Sequence, residues 1–182
     1  MPGFFGDDLD ALELDTEPDP FTYFSIDLFS ASAPLLCGSG PLPNDILIST
    51  GDGSFGCFAS GEDDIGLDSG DDLDALILWD VFRPGELNPR RDMALFSIST
   101  FSPTAITFGG SFSPADILFT DFTGDFSLWA SAADIGLRPD DEVDALDTVP
   151  EPATITLMAI GFASLGFHRY RLRTRNISRK GT

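Results

Sequence analysis

Basic residues are scarce in this 182-residue chain: ten Lys and Arg stand against thirty Asp and Glu, for a net charge of -20. The scarcity is uneven. Before position 168 the only basic residues are Arg83, Arg90, Arg91 and Arg138, while 29 of the 30 acids lie at or before Asp147. Residues 1–148 therefore carry a net charge of -25. A body so negative repels a phosphate backbone, which excludes a nucleic-acid partner. Histidine is nearly absent too. The single copy, His168, lies outside the acidic body, so no Ser–His or Cys–His pair can be built there. GxSxG, HExxH and P-loop patterns are missing. The two cysteines, Cys37 and Cys57, fit no zinc spacing. They read equally well as a disulfide of an exported protein and as two small buried hydrophobes. Acids are plentiful enough that a carboxylate pair for glycoside hydrolysis carries no signal. No catalytic residue is assigned, and the chain reads as noncatalytic.

What is present suits a packed β-protein. Hydrophobic residues make up 42% of the chain, including 17 Phe, so it can bury a core. The 18 Gly and 13 Pro imply short elements broken by turns. Pieces of sequence recur in one order. "DDLDAL" begins at Asp7 and Asp71, and "DEVDAL" at Asp141. "YFSID" returns as "LFSIS", and "LPNDILIS" returns as "SPADILFT". "GDGSFGCFAS" is matched by "TGDFSLWAS", and "DIGL" occurs twice. Such a period points to a repeat architecture. Short runs such as "ALILW" and "FSLWA", bounded by Gly, Pro, Asn and Asp, read as strands. The expected fold is all-β, with an internal repeat of about four short antiparallel strands per unit in a sandwich, barrel or partial propeller. The units fall near 7–70 and 71–140, followed by a final strand at 141–147. "SAADIGL" reads as one helical turn with Ser131 as its N-cap.

Three Asp recur at the same place, Asp10, Asp74 and Asp144. On a regular strand Asp74 shares a face with Leu76 and Leu78, which predicts a half-buried carboxylate tying down backbone amides. Recurrence favours that structural role over an active site. The stretch "GEDDIGLDSGDD" gives weaker calcium candidates in Asp64, Asp68, Asp71 and Asp72. An EF-hand pattern is missing, so no cofactor is assigned beyond that weak Ca²⁺ reading.

The chain changes character after Asp147. Pro150, Glu151 and Pro152 precede the uncharged run "ATITLMAIGFASLGF" at 153–167. Arg169, Arg171, Arg173 and Arg175 follow. The run alone, at about 22 Å, falls short of the roughly 30 Å hydrocarbon layer. Continued to residue 172, with arginines snorkelling, it can cross. A buried core helix gains nothing from a dense basic cluster at its end, whereas a membrane helix is oriented by one, arginines inside and acidic body outside. The ordered trio of Pro-Glu-Pro, apolar run and basic stop resembles the PEP-CTERM sorting signal of exported Gram-negative proteins. The resemblance covers about thirty residues within 149–182. It implies recognition and processing by an exosortase-type membrane protease, inner-membrane insertion of residues 153–172, and later release to the cell surface or extracellular matrix. It also implies a link to exopolysaccharide and biofilm. The tail "NISRKGT" is longer than is typical of that family.

Export calls for a signal peptide, and the opening "MPGFFGDDLDALELD" has neither a positive nor an apolar segment. With a chain that starts inside a repeat, this gives the expectation of sequence upstream. Two rival functions remain, a carbohydrate-binding or polysaccharide-modifying protein and a calcium-binding surface module. A third reading keeps the chain cytoplasmic, with its tail as a core helix.

Overall fold

The computed structural model describes residues 9–14, 21–26, 37 and 42–147. By contact density the chain forms two compact units, Met1–Asp147 and Thr148–Thr182, and the second lies outside the described residues. Within the first, the described residues form eight strands in two four-stranded sheets. The first sheet holds β1 (Leu9–Leu14), β2 (Thr22–Ile26), β3 (Ile46–Ser49) and β4 (Phe55–Ala59). The second holds β5 (Leu73–Trp79), β6 (Met93–Ile98), β7 (Ile117–Thr120) and β8 (Phe126–Ala130). Every pairing is antiparallel and sequential, so each sheet is a simple meander. Among the described residues no strand pairs from one sheet to the other, so the two sheets stack without closing into a barrel.

Among the described residues helical structure is confined to single turns. A π-helical turn, Gly61–Ile65, follows β4, a 3₁₀ turn spans Ile106–Phe108, and α1, Ala132–Ile135, follows β8. The π turn and α1 differ by one residue, "SGEDDIGL" against "SAADIGL". A single inserted residue is what converts an α turn into a π bulge. Both turns keep the same caps. The Ser60 hydroxyl accepts from the Asp63 amide and the Ser131 hydroxyl from the Asp134 amide. Both end on a glycine in the left-handed region, Gly66 and Gly136. Gly66 also has no room for a side chain, because a Cβ there would sit 2.4 Å from the Gly124 carbonyl oxygen.

The core lies between the sheets. Tyr23, Ile46 and Phe58 of the first sheet pack with Leu76, Leu78, Phe96 and Leu118 of the second. The sheets approach most closely along β1 and β5. The faces that meet are unlike. Tyr23 matches Leu95 in the sequence alignment of the two halves, and Phe24 matches Phe96. Yet Tyr23 faces this core while Phe24 packs in a second cluster with Ile26, Leu47 and Cys37. In the second sheet it is Phe96 that enters the shared core. The sheets therefore stack in the same sense, one face of the first on the opposite face of the second.

Four register breaks shape this packing. β1 gains a residue between Leu9 and Leu12, and β5 between Leu73 and Ala75. In the other two, Phe58 and Trp129 are passed over in the β3–β4 and β7–β8 ladders. A bulge resets which side chains share a face. That corrects the expected placement of Asp74. Leu73, Leu76 and Leu78 all enter the core, a spacing of three then two, so Asp74 does not follow the leucine face of a regular strand.

The anticipated strand at 141–147 is not formed, and those residues carry no ladder. Val143 nonetheless sits where the pattern places it. Its carbonyl accepts the Ser97 hydroxyl at 2.6 Å, as the Leu73 carbonyl accepts the Ser25 hydroxyl at 3.0 Å. Among the described residues no second strand completes a ladder with it.

Candidate functional site

Most buried carboxylates in the body hold turns. Asp45 closes Leu42–Asp45: its Oδ2 accepts from the Leu42 amide at 2.9 Å and its Oδ1 from the Gly61 amide at 2.9 Å. Asp116 repeats the arrangement, taking the Ser113 amide at 2.9 Å and the Ala132 amide at 2.8 Å. One side chain thus ties a turn to the start of the following helical turn. Asp71 accepts from the Asp68 amide and from both the amide and the hydroxyl of Thr104. Asp141 accepts from the Arg138 amide. Asp92, fully buried, gathers the amides of Val81, Phe82 and Asn88. In four of these turns the Asp is the fourth residue and reaches back to the first. Three of the four have Pro second, at Pro43, Pro114 and Pro139, which pre-sets the turn's φ. The x-Pro-x-Asp spacing marks these turns in the sequence, and the recurrence of Asp10, Asp74 and Asp144 does not.

Burial pushes the Asp45 carboxyl above the ordinary Asp value, helped by nearby Glu62 and Asp64 and opposed by its two amide donors. Asp134 is held below that value by the Ser131 hydroxyl and amide, and Asp52 likewise by Ser54.

The calcium candidates do not converge. Asp71 is spent on three donors, and Asp64 accepts from the Ser60 amide. Among the described residues the carboxylates near enough to share an ion are Asp74, Glu142 and Asp144, with oxygens within 4.8 Å of one another. Two of the three are exposed. Glu142 also accepts from the Thr100 amide. The side chain of Asp10 lies outside the described residues. Cys37 and Cys57 form a disulfide that ties the segment before β3 to β4.

The outward face of the second sheet is a different kind of surface. Ile77, Leu95 and Phe119 are aligned across β5, β6 and β7, and Trp79 pairs with Met93. Trp79, Val81, Met93, Leu95, Phe119 and Trp129 line an open cleft of about 470 Å³. Trp129 stacks at a tilt on Phe119, ring centroids 5.9 Å apart. The β5–β6 loop carries Arg83 and Arg91, whose guanidinium groups sit on the Phe82 ring. Every side chain lining the cleft is apolar, so it offers shape and hydrophobic contact rather than general acid, base or nucleophile.

The tail supplies what the body's geometry does not. Residues 148–171 match the family description of a PEP-CTERM protein-sorting motif. The chain carries a PEP-CTERM signal. The matched span contains Pro150, Glu151, Pro152 and Arg169 and ends at Arg171, whereas Arg173 and Arg175 lie beyond it. Among the described residues no helix is long and apolar enough to cross a membrane, and the span 153–172 lies outside them. Neither the curated proteins nor the solved structures contain a match to this chain. The PEP-CTERM motif is therefore what these comparisons contribute, and it speaks of destination.

Proposed function

We propose that this chain is an exported, noncatalytic surface or matrix protein whose acidic β body is delivered by its PEP-CTERM tail. The observation that carries the reading is the sorting motif at 148–171, attached to a separate compact β body. The motif supports an exported, membrane-associated precursor processed by an exosortase. In the finer reading residues 153–172 span the inner membrane, Arg169, Arg171, Arg173 and Arg175 stay in the cytoplasm, and the body lies outside. Processing near Pro150–Pro152 then releases the body to the envelope or to an exopolysaccharide matrix. The noncatalytic character rests on a body, residues 1–148, without histidine and on buried carboxylates committed to backbone amides.

A sugar-binding role is less well supported. Exposed Trp79 and Trp129 could stack on sugar rings, but carbohydrate sites also need convergent hydrogen-bonding groups, and the cleft is lined by apolar side chains. The test is fractionation in a host with an exosortase, comparing the natural chain with Pro150→Ala/Glu151→Ala/Pro152→Ala. The natural chain is expected to be shortened and to leave the membrane, and the triple variant to remain full-length in it. Equal processing of both would end the sorting reading. Turnover of an exopolysaccharide by the purified chain would end the noncatalytic one.

A further inference from the structure

The connection between β5 and β6 spans residues 80–92, against 15–21 between β1 and β2. Insertions peculiar to one unit of a repeat often build its binding face. This one carries Arg83, Arg90 and Arg91, three of the four basic residues in 1–148. All three are exposed. The acids of the loop are differently placed. Asp92 is fully buried on three amides, and Asp80 accepts from the Tyr23 hydroxyl and the Gly85 amide. Glu86 is exposed, 3.5 Å from Arg83. The fully exposed charges of the loop are therefore three positive and one negative, on a body of -25. The loop is also tied down. Asn88 donates from its side chain to the carbonyls of Phe82 and Glu86, and the Arg90 amide donates to the Asp121 carbonyl at 2.8 Å. Arg83 and Arg90 sit in the left-handed region, φ 72° and 68°, where glycine would rest more easily. The loop leaves β5 at Trp79 and rejoins β6 at Met93, paired residues that both line the apolar cleft. We propose that this arginine loop and the cleft rim together dock the body on an anionic lipid bilayer. Trp79, Val81 and Trp129 then lie at the boundary of headgroups and acyl chains, with the arginines on lipid phosphates.

Three observations select a bilayer as the occupant. The first is charge. A phosphate surface attracts the one region of the body where exposed arginines outnumber exposed acids, and the remaining acids oppose every other orientation. Screening confines that opposition to about 8 Å at physiological salt, so distant acids do not cancel the local attraction. The second is side-chain type. Trp129 is 64% exposed and Val81 68%, and both tryptophans of the chain line the cleft. Tryptophan and arginine, with an apolar body and a polar tip, are the residues that settle at a membrane interface. The cleft side chains offer a sugar or a peptide no hydrogen bonds, whereas lipid asks for none there. A second copy pairing through the same face would set the arginines of one chain against those of the other. The third is proximity, and it rests on the sorting reading above. A chain whose tail makes it a membrane-associated precursor holds its body beside lipid, so a weak interfacial contact acts at high effective concentration.

The experiment is tryptophan fluorescence of the full chain in vesicles of phosphatidylcholine and phosphatidylglycerol. Trp79 and Trp129 are the only tryptophans, and the tail has none, so the emission reads the cleft and not residues 149–182. Lipids brominated on the acyl chains should quench most of the emission seen with unbrominated ones. The quenching should weaken between about 0.05 M and 0.5 M salt. It should be largely lost in Arg83→Gln/Arg90→Gln/Arg91→Gln and in vesicles of phosphatidylcholine alone. Val81→Asp, at an exposed position, should lose it too, and serves if the triple variant unfolds by far-UV circular dichroism. Equal emission from brominated and plain vesicles overturns the proposal. So does quenching that ignores both salt and the arginines. A blue shift that follows protein concentration rather than lipid would overturn it in favour of a second copy. Flotation separates this contact from the tail: chain that floats with unquenched tryptophans is held by its tail alone, and the docking fails. The vesicles contain no exosortase, so failure of sorting shows in the fractionation experiment and not in this one.

Discussion

Asp116 illustrates how an acid-rich sequence can be structurally thrifty. Its two oxygens satisfy two buried backbone amides that no neighbouring strand could reach. Asp116→Ala should cost about 3 kcal/mol, because two desolvated donors lose their acceptor. Chemical unfolding would measure it, and Asp45→Ala should behave alike. A loss under about 0.5 kcal/mol, the usual size for a surface site, would refute the role. The same carboxylates order the pH response. Asp45 has a raised folded value, so its protonated form favours folding, and its cost to stability is relieved as pH falls through that value. Asp52 and Asp134 are lowered, so their contribution is present above the ordinary Asp range and is lost as pH falls through the folded value. Carbon-13 carboxyl titration by NMR should place Asp45 above the ordinary value and the other two below it. The reverse order would contradict the geometry. The x-Pro-x-Asp turns could be read from sequence. The second bond of each clamp could not, since Gly61 and Ala132 lie sixteen residues further on.

Elements here are short, and single residues decide their form. The π turn Gly61–Ile65 and α1 have equivalent Ser and Gly caps and differ by one inserted residue. Deleting Glu62 should convert the first into the second, with a stability change within about 1 kcal/mol. Backbone chemical shifts and unfolding would report it, and a global loss of fold would show that the π form is required. The disulfide acts at the same scale. Cys37 and Cys57 are 20 residues apart, a closure worth about 3 kcal/mol in the chain-entropy account. Reduction should lower stability by that order without dissolving the sheets, because the main core contains neither cysteine. The strands themselves were legible as short β-branched and aromatic runs. Their bulges were not, and the bulge in β5 is why the alternation argument misplaced Asp74.

At the scale of the whole molecule, charge and address dominate. A body with a net charge of -25 repels itself, and the folded state concentrates that charge. Thermal unfolding should therefore move up between about 0.01 and 0.15 M salt as the screening length shortens. Calcium should raise the midpoint no more than magnesium at equal ionic strength. A calcium-specific rise would point to Asp74, Glu142 and Asp144, the trio the fold gathers.

The sequence by itself determined the address, because a sorting motif is read as a linear string and keeps its meaning without a fold. It also determined strand content, since alternation and turn residues act over a few positions. Tertiary structure decided which acids are buried clamps, which faces meet, and which large apolar side chains gather in one cleft. Those outcomes depend on bulges and on contacts between residues far apart in the chain. Leu12 and Leu76 share a sequence context, yet one is half exposed and the other buried, because among the described residues only Leu76 has a sheet stacked upon it.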